Sequence, residues 1–288
     1  MTIVVTVNVS EGLVLAADST ASIHGTIQGE SGPQAGGVLK TYDHARKLSH
    51  LKDYPIGTLT WGISQIGSRT VESLIKEFEL GLPSLEEENE KIREQRMRGE
   101  EPDHSTYQFA VRDISEGLLE YVTEFYENEF SQLAQENRPP LGILVSGYSS
   151  GSFFPDQWLL GFPSNQGIQE LRPAVDGKPN FGASWFGLTD AIVRLHWGRD
   201  DKVLEIVSKK FDLSADDARD LFNELQYPVL FEGMPLQDAI DYAVYLINVV
   251  IGRFRFVVGA PLSGGQIDVA VIIPDSFTWV RRKAWKLS

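Results

Sequence analysis

Cysteine is absent from this chain. That excludes disulfides, thiol nucleophiles and thiolate metal sites together, and it suits a reducing compartment. Long apolar runs are missing too. The longest candidate, within Ala239 to Val258, is interrupted by Asp241, Asn248, Arg253 and Arg255, so no membrane-spanning segment is expected. No basic region followed by an apolar stretch and a cleavage site opens the sequence, so no signal peptide is expected either. Positive charge is in short supply. Lys and Arg number 26 against 40 Asp and Glu, a formal charge of −14. Such acidity argues against nucleic acid or an anionic membrane surface as the main partner. The expectation is a soluble, cytoplasmic protein with no nucleic-acid and no membrane partner.

Cofactor and metal signatures are wanting as well. The glycine-rich stretch GESGPQAGG lacks a Gly-Lys-Ser/Thr ending and a strand-to-helix setting, and no dinucleotide fingerprint occurs. The five histidines (His24, His44, His50, His104 and His196) are scattered, with no His-Glu-x-x-His pair. The sequence gives no reason to expect a cofactor or a metal.

What is present is a globular composition. Over 288 residues, 42% are hydrophobic and 10% aromatic, enough for a large core. The chain opens MTIVVTVNVSEGLVLAADST. Ile3, Val5, Val7 and Val9 alternate with Thr2, Val4, Thr6 and Asn8, which is strand periodicity. Ser10-Glu11-Gly12 supplies a turn, and Leu13 to Ala17 is a second apolar run ending at Asp18. A three-residue loop over Val9 to Glu11 would pair Asn8 with Gly12 and set Thr2 opposite Asp18. A two-residue loop would shift Asp18 by one position, onto the other face.

Further along, His24 to Gly37 reads as a polar, glycine-rich surface loop. Extended segments follow at Arg46 to Leu51 and Ile56 to Gly62, then a helical pattern from Ser64 to Leu80. Pro83 to Asp103 is a mixed charge run, read as a solvated helix extension or a loop, or more sharply as a docking surface. A second helix carries Tyr107, Ile114, Leu118, Tyr121 and Phe125 at helical spacing. Strands return at Leu141 to Tyr148 and Gln157 to Phe162, with weaker ones near Ile168 and Phe181. Helical patterns run through Thr189 to His196, Lys202 to Phe211, Ser214 to Leu225 and from Pro235 to about Phe254. Gln266 to Ile273 and the FTWV stretch close the chain as strands. Strands, a helix pair, strands, helices and strands do not alternate as a doubly wound sheet does. They fit an α+β class, a four-layer αββα sandwich of two antiparallel sheets. No linker divides the chain, so one domain over 1–288 is expected, with insertions near 24–37 and 82–105.

Two nucleophiles are candidates. GYSSG (Gly147 to Gly151) matches the G-x-S-x-G elbow directly after a strand, but that motif needs a helix behind its serine. SFFPDQWLLGF follows instead, so a strand–turn–strand connection is expected and a serine hydrolase built on Ser149 is the minor alternative. The other candidate is Thr2.

The ordered set of segments resembles the proteasome β-subunits among the N-terminal-nucleophile (Ntn) hydrolases. The start T-I-V-V-T-V…G-L-V-L-A-A-D sets Thr2 where that family has its catalytic threonine. RKLSHL resembles the strand bearing the family's lysine, which falls on Lys47. TLTWGISQIGSRTVESLIKEF places the oxyanion glycine at Gly62, and SGGQIDVAVI brings a retained serine at Ser263. Departures accompany the match. Thr20 stands where the family has an arginine, Ala260 where it has a second aspartate, and Gly187 where it has a serine.

The resemblance implies a divergent bacterial proteasome-like peptidase with Thr2, Asp18, Lys47, Gly62 and Ser263 at its site. It implies a homo-oligomer, ring or spiral, acting on peptides or unfolded proteins, with an unfoldase partner unspecified. The alternative it leaves is a scaffold subunit that keeps the fold without activity. The chemistry is coherent by itself. A threonine hydroxyl needs a base, and an N-terminal threonine carries its own α-amine, with a pKa of about 7.7–8.0. Met1 would have to be removed, and threonine is small enough for methionine aminopeptidase.

Overall fold

The computed structural model describes residues 2–29, 32–163, 167–259 and 261–284. The chain begins with the strands β1 (Ile3–Val9), β2 (Gly12–Ala17), β3 (Ala21–Gly29), β4 (Gly32–Tyr42), β5 (Leu48–His50) and β6 (Ile56–Gly62). Two short strands, β7 (Gln65–Ile66) and β8 (Arg69–Thr70), lead into the helices α1 (Val71–Gly81), α2 (Leu85–Met97) and α3 (Val111–Phe130). Then come β9 (Leu141–Gly147), β10 (Asp156–Phe162), β11 (Ile168–Glu170) and β12 (Gly182–Gly187). Helices α4 (Asp190–Trp197), α5 (Asp201–Phe211), α6 (Ala215–Asp220) and α7 (Leu236–Phe256) precede the closing hairpin of β13 (Asp268–Ile273) and β14 (Ser276–Arg281).

Two five-stranded sheets form the centre, ordered β12-β1-β2-β13-β14 and β11-β10-β9-β6-β5. Their strand pairings are antiparallel. Between the sheets lie Val4, Leu13, Leu15, Leu48, Leu59, Leu144 and Ile272. On the outer face of the first sheet, Ile3, Val5, Val7, Val14 and Ala16 pack against Ala239, Ala243, Leu246 and Val250 of α7. On the outer face of the second, Ile143, Val145 and Leu160 pack against Leu74 of α1 and Leu118 and Val122 of α3. The architecture is the expected four-layer αββα sandwich.

The layers explain why β1 is buried along its whole length. Its odd residues face α7 and its even residues face the second sheet, so neither side meets water. Each fully buried valine or isoleucine is worth about 1.5–3 kcal/mol. Thr6, on the inner face, is satisfied by donating its hydroxyl proton to Gln157 Oε1 at 2.9 Å. At the hairpin tip Glu11 reaches out to accept the backbone N–H of Leu236 at 2.8 Å. A carboxylate there neutralises an orphan donor at the positive end of α7, whose own cap residue is proline.

Several expectations are corrected. The first hairpin has the two-residue connection Ser10-Glu11, with Val9 opposite Gly12 and Val4 opposite Ala17. Asp18 therefore falls opposite Ile3, not Thr2. The segment expected as a loop at His24 to Gly37 lies mostly in the β3–β4 hairpin, whose glycines hid the strand periodicity. The helix expected from Ser64 starts at Val71, because Gly67, at φ +57°, first turns the β7–β8 hairpin. The charge run at Pro83 to Asp103, by contrast, is the solvated helix expected: it holds α2, none of whose side chains is fully buried.

Candidate active site

Asp18 follows the last residue of β2 and is wholly buried. Its Oδ1 accepts the backbone N–H of Ile3 at 3.0 Å and the ammonium of Lys47 at 2.6 Å. Its Oδ2 accepts the Ser263 hydroxyl at 3.0 Å, the Gly264 N–H at 3.2 Å and the Thr20 N–H at 3.4 Å. One carboxylate thus ties together the start of β1, the segment before β5 and the turn before β13. Five donors, one of them the adjacent ammonium, thus converge on a single buried carboxylate.

Lys47 is buried as well, and its Nζ also donates to the Thr20 carbonyl at 2.6 Å. Burial is the main influence on this ammonium and lowers its pKa below the ordinary lysine value, Asp18 pulls it back up, and nearby Lys283 lowers it again. Lys283 belongs to a second buried pair behind the first. Its Nζ lies 2.9 Å from Asp268 Oδ2 and donates to the Ser19 hydroxyl at 2.8 Å and to the Ala45 carbonyl. Neither Lys283 nor Asp268 was signalled in the sequence. The chain separation hides them, since Ser19 and Lys283 stand 264 residues apart.

Thr2 precedes β1 and is 7% exposed. Its carbonyl accepts the N–H of Leu188 at 2.7 Å, and the peptide that joins it to Ile3 supplies the N–H bound by Asp18. Gly187, the last residue of β12, faces Ile3 and has φ +94°. A Cβ there would fall 2.0 Å from the Thr2 carbonyl oxygen. Glycine at this place is a steric requirement of the observed backbone, not merely an eroded serine.

Gly62 closes β6, with φ +95° and Leu141 opposite. It lies two residues beyond Thr60, whose N–H is donated to the Lys47 carbonyl at 2.9 Å. Its neighbour Trp61 stacks on Phe186 with ring centroids 4.4 Å apart, joining the second sheet to the strand that carries Gly187. Asp18, Lys47 and Ser263 thus form one hydrogen-bonded cluster beside the Thr2–Ile3 peptide. Ala260, which stands where the family has its second aspartate, and the removable Met1 lie outside the described residues.

Ser149 belongs to a turn between β9 and β10, with no helix behind it. It accepts the N–H of Val111 at 3.0 Å and donates to Asp156 at 2.5 Å, which makes it a cap for α3. Among the described residues no group of three or more His, Asp or Glu side chains is placed to hold a metal ion, and no helix is long and apolar enough to cross a membrane.

No family model matches the chain, and no curated protein does. Solved structures do. The chain is similar to a glycine mutant of Anbu from Hyphomicrobium sp. strain MC1, with 15% identity and a TM-score of 0.51, over 98% of this chain and 86% of that one. It is also similar to Anbu, described as an ancestral beta-subunit, from Yersinia bercovieri, with 12% identity and a TM-score of 0.47, over 96% and 86%. What the chain shares is the proteasome-like αββα fold. This corrects the reading of the chain as a proteasome β-subunit-like Ntn hydrolase and a divergent bacterial proteasome homologue. The structure that carries the comparison, the Hyphomicrobium Anbu mutant, is matched at 15% identity, which shows the fold and not a family. The physical reason lies in the segments that suggested it. They are chiefly alternating strands and glycine turns, which any chain building this sandwich must contain, while Thr20 and Gly187 depart from the proteasome pattern.

Proposed function

We propose that the chain is an N-terminal-threonine amide hydrolase, with Thr2 as nucleophile once its α-amine is free. The observation that carries this reading is the double engagement of Asp18. The same carboxylate oxygen accepts the N–H of Ile3, the residue bonded to Thr2, and the ammonium of Lys47. A buried, immobilised cation is thereby held at the strand end from which Thr2 emerges.

In this reading the neutral α-amine takes the hydroxyl proton as the Thr2 oxygen attacks the substrate carbonyl. Lys47 favours the neutral amine and the developing alkoxide through its positive charge. The Gly62 N–H receives the oxyanion, a contribution of about 3–4 kcal/mol in other enzymes. The protonated amine then gives its proton to the leaving amine, and an ester to Thr2 remains. Water, deprotonated by the same α-amine, hydrolyses that ester and restores the hydroxyl. Ser263 and the Gly264 N–H hold the far oxygen of Asp18. The substrates are peptides, and the working form is a homo-oligomer.

The experiment pairs the mass of the purified chain's first residues with hydrolysis of fluorogenic peptides by wild type and Thr2→Ala. Hydrolysis that requires a free Thr2 amine and vanishes in Thr2→Ala supports the proposal. Hydrolysis that survives Thr2→Ala overturns it. A chain with a free Thr2 amine and no hydrolysis favours the second reading, a subunit that keeps the fold without activity. That reading draws on the missing hydroxyl at Gly187 and on Thr20, whose hydroxyl is directed to Asp43 at 3.0 Å.

A further inference from the structure

A cavity of about 470 Å³ lies along β12, and neither Asp18 nor Lys47 lines it. Trp185, Phe186, Trp197, Phe231 and Tyr242 line it, with Tyr227 at its mouth 73% exposed. That size and aromatic character suit a small organic molecule. Arg172 is the one lining side chain that carries a permanent charge. His196, also in the wall, is pushed by burial below the usual histidine pKa and shares a 3.0 Å hydrogen bond with the Tyr242 hydroxyl.

Arg172 is held in place at some cost. Its backbone lies in the left-handed region at φ +58°, which a non-glycine residue adopts only when its surroundings fix it there. The guanidinium donates from Nε to the Ser184 hydroxyl at 3.0 Å, from Nη1 to the Phe181 carbonyl at 3.3 Å and from Nη2 to the Ala183 carbonyl. These partners are neutral. Burial lowers the arginine's pKa, and among the described residues no carboxylate lies within ion-pair distance of it. A guanidinium has five N–H groups in a fixed fork, so one on each terminal nitrogen is left over. A half-buried cation with neutral partners, a spare donor on each terminal nitrogen and an aromatic chamber beside it is the complement of a carboxylate on an apolar body. A single guanidinium matches one negative charge better than the two of a phosphate.

We propose that this cavity binds an organic monocarboxylate with an aromatic or branched apolar body. Its carboxylate sits on the terminal nitrogens of Arg172 and its body lies among Trp185, Trp197 and Tyr242. Thr2 is not among the lining residues, and the assignment stands or falls without any peptidase activity.

Calorimetric titration of the full chain with N-acetyl-phenylalanine, N-acetyl-phenylalaninamide and acetate tests it, in wild type, Thr2→Ala, Arg172→Met and Trp197→Ala. The acid is expected to bind wild type and Thr2→Ala equally. The amide and acetate should each bind at least about tenfold more weakly, because one lacks the charge and the other the body. Arg172→Met and Trp197→Ala should each weaken the acid by a similar factor. Trp197 is 38% exposed, so its variant keeps the test open should Arg172→Met fail to fold. Equal binding of acid and amide, no binding of the acid, or an unchanged affinity in Trp197→Ala would overturn the proposal and leave Arg172 as a cap for the edge strand alone.

Discussion

Gly187 has no room for a side chain because the Thr2 carbonyl oxygen stands 2.0 Å from where its Cβ would be. The contact is to backbone, and the Thr2 carbonyl is itself bonded to the N–H of Leu188. Neither side can yield without opening the β1–β12 pairing. Gly187→Ser, which would supply a hydroxyl at this place, is therefore expected to destabilise the fold by on the order of 3 kcal/mol. It should also fail to raise any hydrolysis. Chemical denaturation of wild type and variant checks the first expectation; a stable, more active Gly187→Ser protein would contradict both.

Asp18→Asn removes the charge that compensates Lys47 while keeping the shape of the carboxylate. Because the pair is buried, breaking one side leaves an uncompensated ammonium, a loss of about 3–5 kcal/mol. The double variant Asp18→Asn with Lys47→Met removes that stranded charge and should recover part of the loss. A denaturation cycle over the four proteins measures the coupling. Additive losses would mean that the 2.6 Å contact contributes little. In the hydrolase reading Asp18→Asn should also lower peptide hydrolysis by about a hundredfold or more.

The proximity of Lys283 to Lys47 gives a prediction in pH. Lys47 titrates below its ordinary value of 10.5 in the folded chain. Between the lowered value and 10.5 the unfolded chain holds more protons, so this residue makes stability rise as pH climbs through that window. Lys47→Met should lose that rise. Lys283→Met removes a like charge, so Lys47 should titrate higher in that variant, whereas Lys283→Arg should leave it near the wild-type position. Nitrogen-15 NMR of the Lys47 Nζ across an alkaline titration reads this directly. Identical titrations in all three proteins would sever the link between the two pairs.

How much of this was legible depends on the range of the interaction. The β1–β2 strands, the helices α1, α3 and α7 and the final hairpin announce themselves by local periodicity, and so does the sandwich they build. The register of the first hairpin turned on one residue of loop length, which Ser10-Glu11-Gly12 leaves ambiguous. The site is harder, because it joins residues 2, 18, 47 and 263 from four separate segments. Periodicity carries no sign that they meet; only resemblance does. The Thr20 carbonyl that holds Lys47 is a backbone group, so no side chain could advertise it. Lys283 and Asp268 lie in the closing hairpin and the segment after it, where a lysine and an aspartate read as ordinary solvated charges. Arg172 was equally silent, since nothing in its sequence context marks a left-handed residue.

Ser149 provides the control that separates motif from mechanism. Its hydroxyl accepts the Val111 N–H at the start of α3, where the cap residue Ala110 has no side chain able to do so. Ser149→Ala leaves that donor and the Asp156 carboxylate short of a partner. The expected cost is that of a lost helix cap, about 1 kcal/mol, seen as a lower denaturation midpoint with an unchanged slope. Peptide hydrolysis per folded molecule should remain at the wild-type level, because no helix follows Ser149 to present it as a nucleophile. Loss of hydrolysis in Ser149→Ala, with Thr2→Ala still active, would instead move the chemistry to the β9–β10 turn.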